Sequence, residues 1–194
     1  MKKDTRSEII AVGMELFSLQ GYNATGLDAI LKRAGVPKGS FYHYFGTKEE
    51  FCLAVIDHFA GTYYRIVDSF LKNEELTPLE RMRHYLQTGL LRFEGNQCSK
   101  GCLLGNLGQE LADQNERLRT RLDEVFRAWK GQIAQCLEEA KAAGELPQDL
   151  ASRPVAGFIL SGLEGAMLRS KVMKSPQPMQ DFIDTLFSTV LQSS

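Results

Sequence analysis

The 194-residue sequence predicts an all-α fold, with three short helices in an N-terminal head, residues 1–47, and about six longer ones in a body, residues 48–194. Two observations carry that prediction. Helix start and stop signals recur along the chain, while the two-residue alternation of strands is almost absent. Charge also separates the two parts: residues 1–48 carry a net +3, from Lys2, Lys3, Arg6, Lys32, Arg33, Lys38 and Lys48 against four acids, and the remainder carries −4.

Each helix has a local reason. Over residues 5–20, Ile9, Ile10, Gly13, Met14, Leu16 and Phe17 form an apolar stripe of helical period, which Gly21 ends. LDAILKRA, 27–34, makes a second short helix closed by Gly35, and Pro37 fits the start of a third that runs to about Tyr44. TKEE at 47–50 is a capping box, with Thr47 as N-cap and Glu50 reaching back to it, opening a long helix to about residue 72. TPLE at 77–80 opens the next, to about Phe93, and EGNQCSKG, 94–101, is a loop by composition. A helix follows over about 102–112. DQNE then caps the clearest amphipathic stripe, Leu118, Leu122, Val125, Trp129, Ile133, Cys136 and Ala140, ended by Gly144. Two final helices, about 150–174 and 178–192, flank SPQP.

The opening MKKDTRSEII has no apolar stretch behind its lysines, and no apolar run approaches the roughly 18 residues of a membrane span. The expectation is a cytoplasmic protein with no membrane partner. Cys52, Cys98, Cys102 and Cys136 then read as reduced thiols rather than a disulfide framework.

The chemistry of the head lies in AGVPKGSFYHYFGTKEE, 34–50. A short helix, a glycine-bearing turn and a second short helix rich in donors make a helix-turn-helix, whose second helix enters the major groove of double-stranded DNA. Lys38, Ser40, Tyr42 and His43 all donate hydrogen bonds, as contact with phosphate oxygens requires. Lys48 adds a further candidate phosphate contact. Phe41 and Phe45, four apart, turn inward to a small core with Leu16, Phe17, Ile30 and Val36.

GYNATGLDAILKRAGVPKGSFYHYFGTKEEF, residues 21–51, closely resembles the signature of the TetR family of bacterial transcriptional regulators, nearly position by position through the N-terminal quarter. The resemblance implies a homodimer whose heads bind a palindromic operator and whose variable bodies bind a small effector that releases the DNA. It also implies DNA contacts by Thr25, Lys38, Ser40, Tyr42, His43 and Lys48. Two positions depart from the pattern: Gly26 stands where Thr or Ser usually caps the second helix, and Leu31 replaces a common alanine.

In the body, the Gly-Cys-Leu opening of CSKGCLLGNLGQEL, 98–111, resembles the branch of the family containing repressors of N-ethylmaleimide-reductase-type genes, in which a cysteine at the position of Cys102 reacts with electrophiles. A thiol in the first turn of a helix feels the positive end of the dipole, and Lys100 stands two residues away, so its thiolate is favoured. The competing reading makes Cys102 a small buried hydrophobe lining a pocket. Cys98 is a possible pairing partner. The spacing of Cys98, Cys102 and His84 is not a zinc pattern, so no metal is expected, and no cofactor.

A ligand pocket between the fourth and seventh helices would draw on Tyr63, Tyr64, Phe93, Phe126 and Trp129, although rings at helical spacing are more often plain core. The last two helices carry the dimer expectation. Gly157, Ser161 and Gly165 recur every fourth residue beside Phe158, and with Phe182 and Leu186 they suit a two-fold four-helix interface; packing within one chain is the alternative. Two other functions compete with a regulator: a thiol-dependent enzyme using Cys102, or an effector-independent DNA-binding protein. No nucleophile-base-orienter set, P-loop or HExxH motif supports an enzyme.

Overall fold

The computed structural model describes residues 4–192, so Lys2 and Lys3 of the basic head lie outside the described residues. Nine α-helices follow one another with no strand among the described residues: α1 (Thr5–Gln20), α2 (Leu27–Ala34), α3 (Lys38–Tyr44), α4 (Lys48–Leu71), α5 (Pro78–Gly95), α6 (Leu103–Leu111), α7 (Glu116–Ala142), α8 (Ser152–Met173) and α9 (Gln177–Thr185). The last helix loosens into a π turn at Leu186–Val190, where a single regular helix is expected.

Side chains at the helix starts explain where they begin. Asp4 accepts the Ser7 N–H at 3.5 Å as well as the Ser7 hydroxyl, and Asn115 accepts the Leu118 N–H at 2.9 Å. Thr77 and Glu80 form a reciprocal capping box ahead of Pro78. The box expected at 47–50 is only half made. Thr47 accepts the Glu50 N–H at 3.1 Å, but the Glu50 carboxylate reaches one residue further back and takes the Gly46 N–H at 2.8 Å.

The chain divides into two compact units, Met1–Thr62 with Cys102–Val125, and Tyr63–Gly101 with Phe126–Ser194. These units follow packing and do not coincide with the functional division expected at residue 47. α6 packs against α1 and buries Leu103, Leu104, Leu107 and Leu111, so α6, the first half of α4 and the start of α7 belong with the head.

The first unit is centred on rings. Phe51 lies 5.3 Å from Phe41, 5.0 Å from Phe45 and 5.8 Å from Phe17, centroid to centroid, in edge-on pairs. Gly13 admits this cluster, because a Cβ there would stand 2.4 Å from Phe51 Cζ. Phe41 and Phe45 are buried as expected, whereas Leu16 and Val36 are only half-buried at the edge.

The second unit has one continuous apolar core, joining Val67 and Leu71 of α4, Met82 to Phe93 of α5, Ile133 to Ala140 of α7, and the inner faces of α8 and α9. Leu186 is 1% exposed within it. That corrects its assignment to a dimer interface, since a side chain enclosed by its own chain has no surface left for a second copy. Phe182 packs on Gly162, where a Cβ would stand 2.3 Å from its ring, so this glycine serves contact within the chain. Phe158, Ser161 and Gly165 face outward from α8, Phe158 being 54% exposed, and Gly157 is half-buried beside Lys130. No described helix is long and apolar enough to cross a membrane.

Candidate nucleic-acid interface and sensor cysteine

The α2–α3 turn is closed by Gly35 in the left-handed region, φ 66°, with its N–H donating to the carbonyls of Leu31 and Lys32. Pro37 then stands as N-cap of α3, with no side-chain cap bond, and its carbonyl accepts the Ser40 N–H at 2.9 Å. α3 turns Phe41 into the ring cluster, and Phe45 just beyond its end follows. The opposite face carries Lys38, Gly39, Tyr42 and His43 in the open, with Ser40 half-buried. Tyr42 is 52% exposed, and its ring and that of Phe41 meet edge-on at 5.6 Å. Tyr44, absent from the expected contacts, is also exposed, its ring 4.8 Å from that of His43.

Thr25 does not belong to this face. Its side chain is fully buried; the hydroxyl donates to the Gly21 carbonyl at 2.6 Å and accepts from Gln20 Nε2 at 3.2 Å. The expected DNA contact is therefore corrected, because both uses of the hydroxyl are internal. Lys48 is half-buried, and its Nζ donates to the Tyr22 carbonyl at 2.7 Å, so it too has a task inside the head. Burial lowers its pKa, with the Glu110 carboxylate opposing that shift.

Glu110, in the last turn of α6, is a residue that the sequence did not single out. Its carboxylate accepts the Tyr22 N–H at 2.7 Å and the Asn23 N–H at 2.6 Å, holding the α1–α2 turn. Gly21 at that turn has φ 82°, and a Cβ there would stand 2.7 Å from Glu110 Oε2. Glycine is needed both for the backbone conformation and for the close approach.

Cys102 lies one residue before its expected place. It is the N-cap of α6 rather than part of the first turn, and its Sγ accepts the Gly105 N–H at 3.4 Å. The sulfur still sits at the positive end of the helix. It is half-buried, whereas Cys98 is 3% exposed in the core of the second unit, which places Cys98 out of reach of a reagent in solution. Lys100 is exposed. Burial pushes the thiols of Cys52 and Cys136 up to about 12. None of the four cysteines is in a disulfide, and no group of three or more His, Cys, Asp or Glu among the described residues is placed to hold a metal.

Most of the rings proposed as pocket lining pack on one another or in the core. Trp129 stacks on Tyr63 at 4.5 Å and meets Phe126 edge-on at 5.6 Å, the Tyr63 and Tyr85 hydroxyls are 2.9 Å apart, and Phe93 is core. Tyr64 lines an open groove of about 280 Å³, with Asp68, Gln132 and Glu139 among its neighbours. There Gln132 Nε2 bridges the Tyr64 carbonyl at 3.1 Å and Asp68 Oδ1 at 2.8 Å.

Comparison with known proteins agrees with this anatomy. Residues 9–55 match the family described as bacterial regulatory proteins, tetR family, and residues 78–186 match the tetracyclin repressor-like C-terminal domain. The transcriptional regulator AcuR of Cereibacter sphaeroides is 38% identical over 91% of this chain and 81% of its own. The HTH-type transcriptional repressor DhaR of Mycobacterium sp. strain GP1 is 30% identical over 97% and 93%. The crystal structure of Escherichia coli NemR in its reduced form superposes with a TM-score of 0.90 at 30% identity, covering 95% of this chain and 96% of that one. The chain belongs to the TetR family of bacterial regulatory proteins.

Proposed function

We propose that this protein is a homodimeric, cytoplasmic repressor that binds a palindromic operator through α3 and releases it when a small effector binds the body or an electrophile or oxidant modifies Cys102. The observation that carries the DNA reading is the division of α3: Phe41 is enclosed, while Lys38, Tyr42 and His43 stand together in the open. A basic and hydroxyl-bearing face of this kind matches the phosphate oxygens and base edges of a major groove. DhaR and NemR both bear the name transcriptional repressor, which favours repression over activation. The outward face of α8, with Phe158, Ser161 and Gly165, is the surface for the second copy.

Two features support Cys102 as the reacting thiol. It is at a helix N-terminus, where a thiolate is stabilised, and it is more accessible than the other three cysteines. The related structure of NemR is named for its reduced form, a redox state of that protein.

The test is binding of the purified dimer to duplexes that it selects from a random-sequence pool. Replacing Lys38, Tyr42 and His43 together by alanine abolishes selective binding while the far-UV circular dichroism is unchanged. Lys38→Ala alone reduces the salt slope by about one unit, as loss of one phosphate contact requires. Treatment with N-ethylmaleimide releases wild type and not Cys102→Ala. Equal release of both removes the cysteine from the mechanism and leaves the body to a non-covalent effector.

A further inference from the structure

The α1–α2 turn is held from three sides within the first unit. The Glu110 carboxylate takes the Tyr22 and Asn23 N–H groups at 2.7 and 2.6 Å, Lys48 Nζ takes the Tyr22 carbonyl at 2.7 Å, and Thr25 takes the Gly21 carbonyl at 2.6 Å. Asn23 also reaches Gln114, just beyond α6, at 3.4 Å. These bonds differ in origin. Thr25 belongs to the turn itself and Lys48 to the start of α4, which is continuous with the head, but Glu110 comes from a helix that is 88 residues away in sequence. Two short bonds from one carboxylate to consecutive backbone N–H groups are of the charge-assisted kind, about twice as strong as neutral ones.

We propose that Glu110 is a positioning residue for DNA binding: its carboxylate fixes the α1–α2 turn, hence the seating of α2 and the presentation of α3, so that α6 acts as a latch on the head. The inference rests on the reading of α3 as the DNA-contacting helix. α2 packs on α1 and on α3, so a shift at the turn between α1 and α2 passes directly to the DNA face. α6 is also the helix that Cys102 caps, and Glu110 follows eight positions later, about 12 Å along a helix rising 1.5 Å per residue. A rigid element of that length moves as one body, so displacement at the cysteine end withdraws the carboxylate at the other. The sequence interval between Cys102 and Glu110 thereby joins the proposed sensor to the proposed reader inside a single unit.

The experiment compares the full-length wild type with E110Q and E110D, using a duplex that the wild type selects from a random-sequence pool, together with hydrogen exchange at the Tyr22 and Asn23 amides and thermal melting. E110Q keeps the shape and removes the charge. It is expected to melt within a few degrees of wild type, exchange faster at both amides and bind the duplex about tenfold more weakly or worse. E110D, which keeps a carboxylate on a shorter arm, is expected to recover part of that loss. A folded E110Q that binds as tightly as wild type overturns the proposal, whether or not its two amides exchange faster. If E110Q does not fold, E110D carries the test by the same readouts, with faster exchange and unchanged affinity overturning it. A wild type that selects no duplex at all overturns the DNA-binding reading itself and the latch with it, a result distinct from every outcome in which wild type binds.

Discussion

Lys48 stands over the ring of Tyr22, with Nζ 4.1 Å from the ring centroid and 2.7 Å from the carbonyl oxygen of the same residue. One ammonium thus grips both the side chain and the backbone of the α1–α2 turn. Replacing Lys48 by methionine keeps the stem and loses both contacts. The expected cost is about 2 kcal/mol of unfolding free energy, the combined scale of a cation–π contact and a hydrogen bond to a charged group, read from urea denaturation. A loss below about 0.5 kcal/mol would show that solvent replaces the ammonium without penalty.

Gly13→Ala is expected to destabilise the protein although alanine is the better helix former. The new methyl would meet Phe51 Cζ at 2.4 Å in the middle of the ring cluster. Overpacking of this kind costs about 1–3 kcal/mol, more than the roughly 1 kcal/mol that alanine returns by propensity. A higher melting temperature for the variant would contradict this account of the cluster.

Native-state alkylation with iodoacetamide near pH 8 is expected to modify Cys102 first. Burial raises the Cys52 and Cys136 thiols to about 12, leaving little thiolate in either, and Cys98 is 3% exposed. Peptide mass spectrometry reads the order. Labelling of Cys98 ahead of Cys102 would reverse the assignment of the accessible thiol.

The same two buried thiols set a dependence on alkaline pH. Unfolded, each loses its proton near the ordinary thiol range; folded, each keeps it to about 12. Between those values the native state binds more protons than the unfolded one, so stability falls as pH rises, at up to about 1.4 kcal/mol per pH unit for each thiol. Lys48, whose pKa burial lowers, acts in the opposite sense, and Tyr22, raised by burial, in the same sense as the thiols. Comparison with Cys52→Ala/Cys136→Ala isolates the thiols: the double variant is expected to lose stability less steeply above pH 9, by chemical denaturation at a series of pH values.

What the sequence disclosed follows from the range of the forces involved. Caps, closing glycines and the period of apolar residues act over one or two turns, so the helices stand within about two residues of their expected ends, except the last, which leaves α geometry after Thr185, and Phe41 and Phe45 lie inside as their spacing requires. The outward set of Lys38, Tyr42 and His43 was legible for the same reason. Contacts distant in sequence were not. The family resemblance alone made Thr25 a DNA contact, and only the folded turn shows its side chain enclosed. Glu110 bears no local mark of its tie to Tyr22, and the inclusion of α6 in the head unit depends on packing against α1 that composition does not express. Leu186 and Phe182 share a periodic stripe, yet the period does not say whether a neighbouring helix belongs to the same chain or another.

The N-cap of α6 is a sulfur, and this changes the meaning of a routine control. Thiols are weak acceptors, and the Gly105 N–H lies 3.4 Å from Cys102 Sγ. Serine, the usual stand-in for cysteine, is among the best residues at this position, and exchanging it in supplies an oxygen that binds the same N–H more firmly. Cys102→Ser is therefore a gain of structure at the helix start as well as a loss of reactivity, whereas Cys102→Ala removes both. Only measured side by side do the two substitutions separate what the sulfur reacts with from what it holds in place.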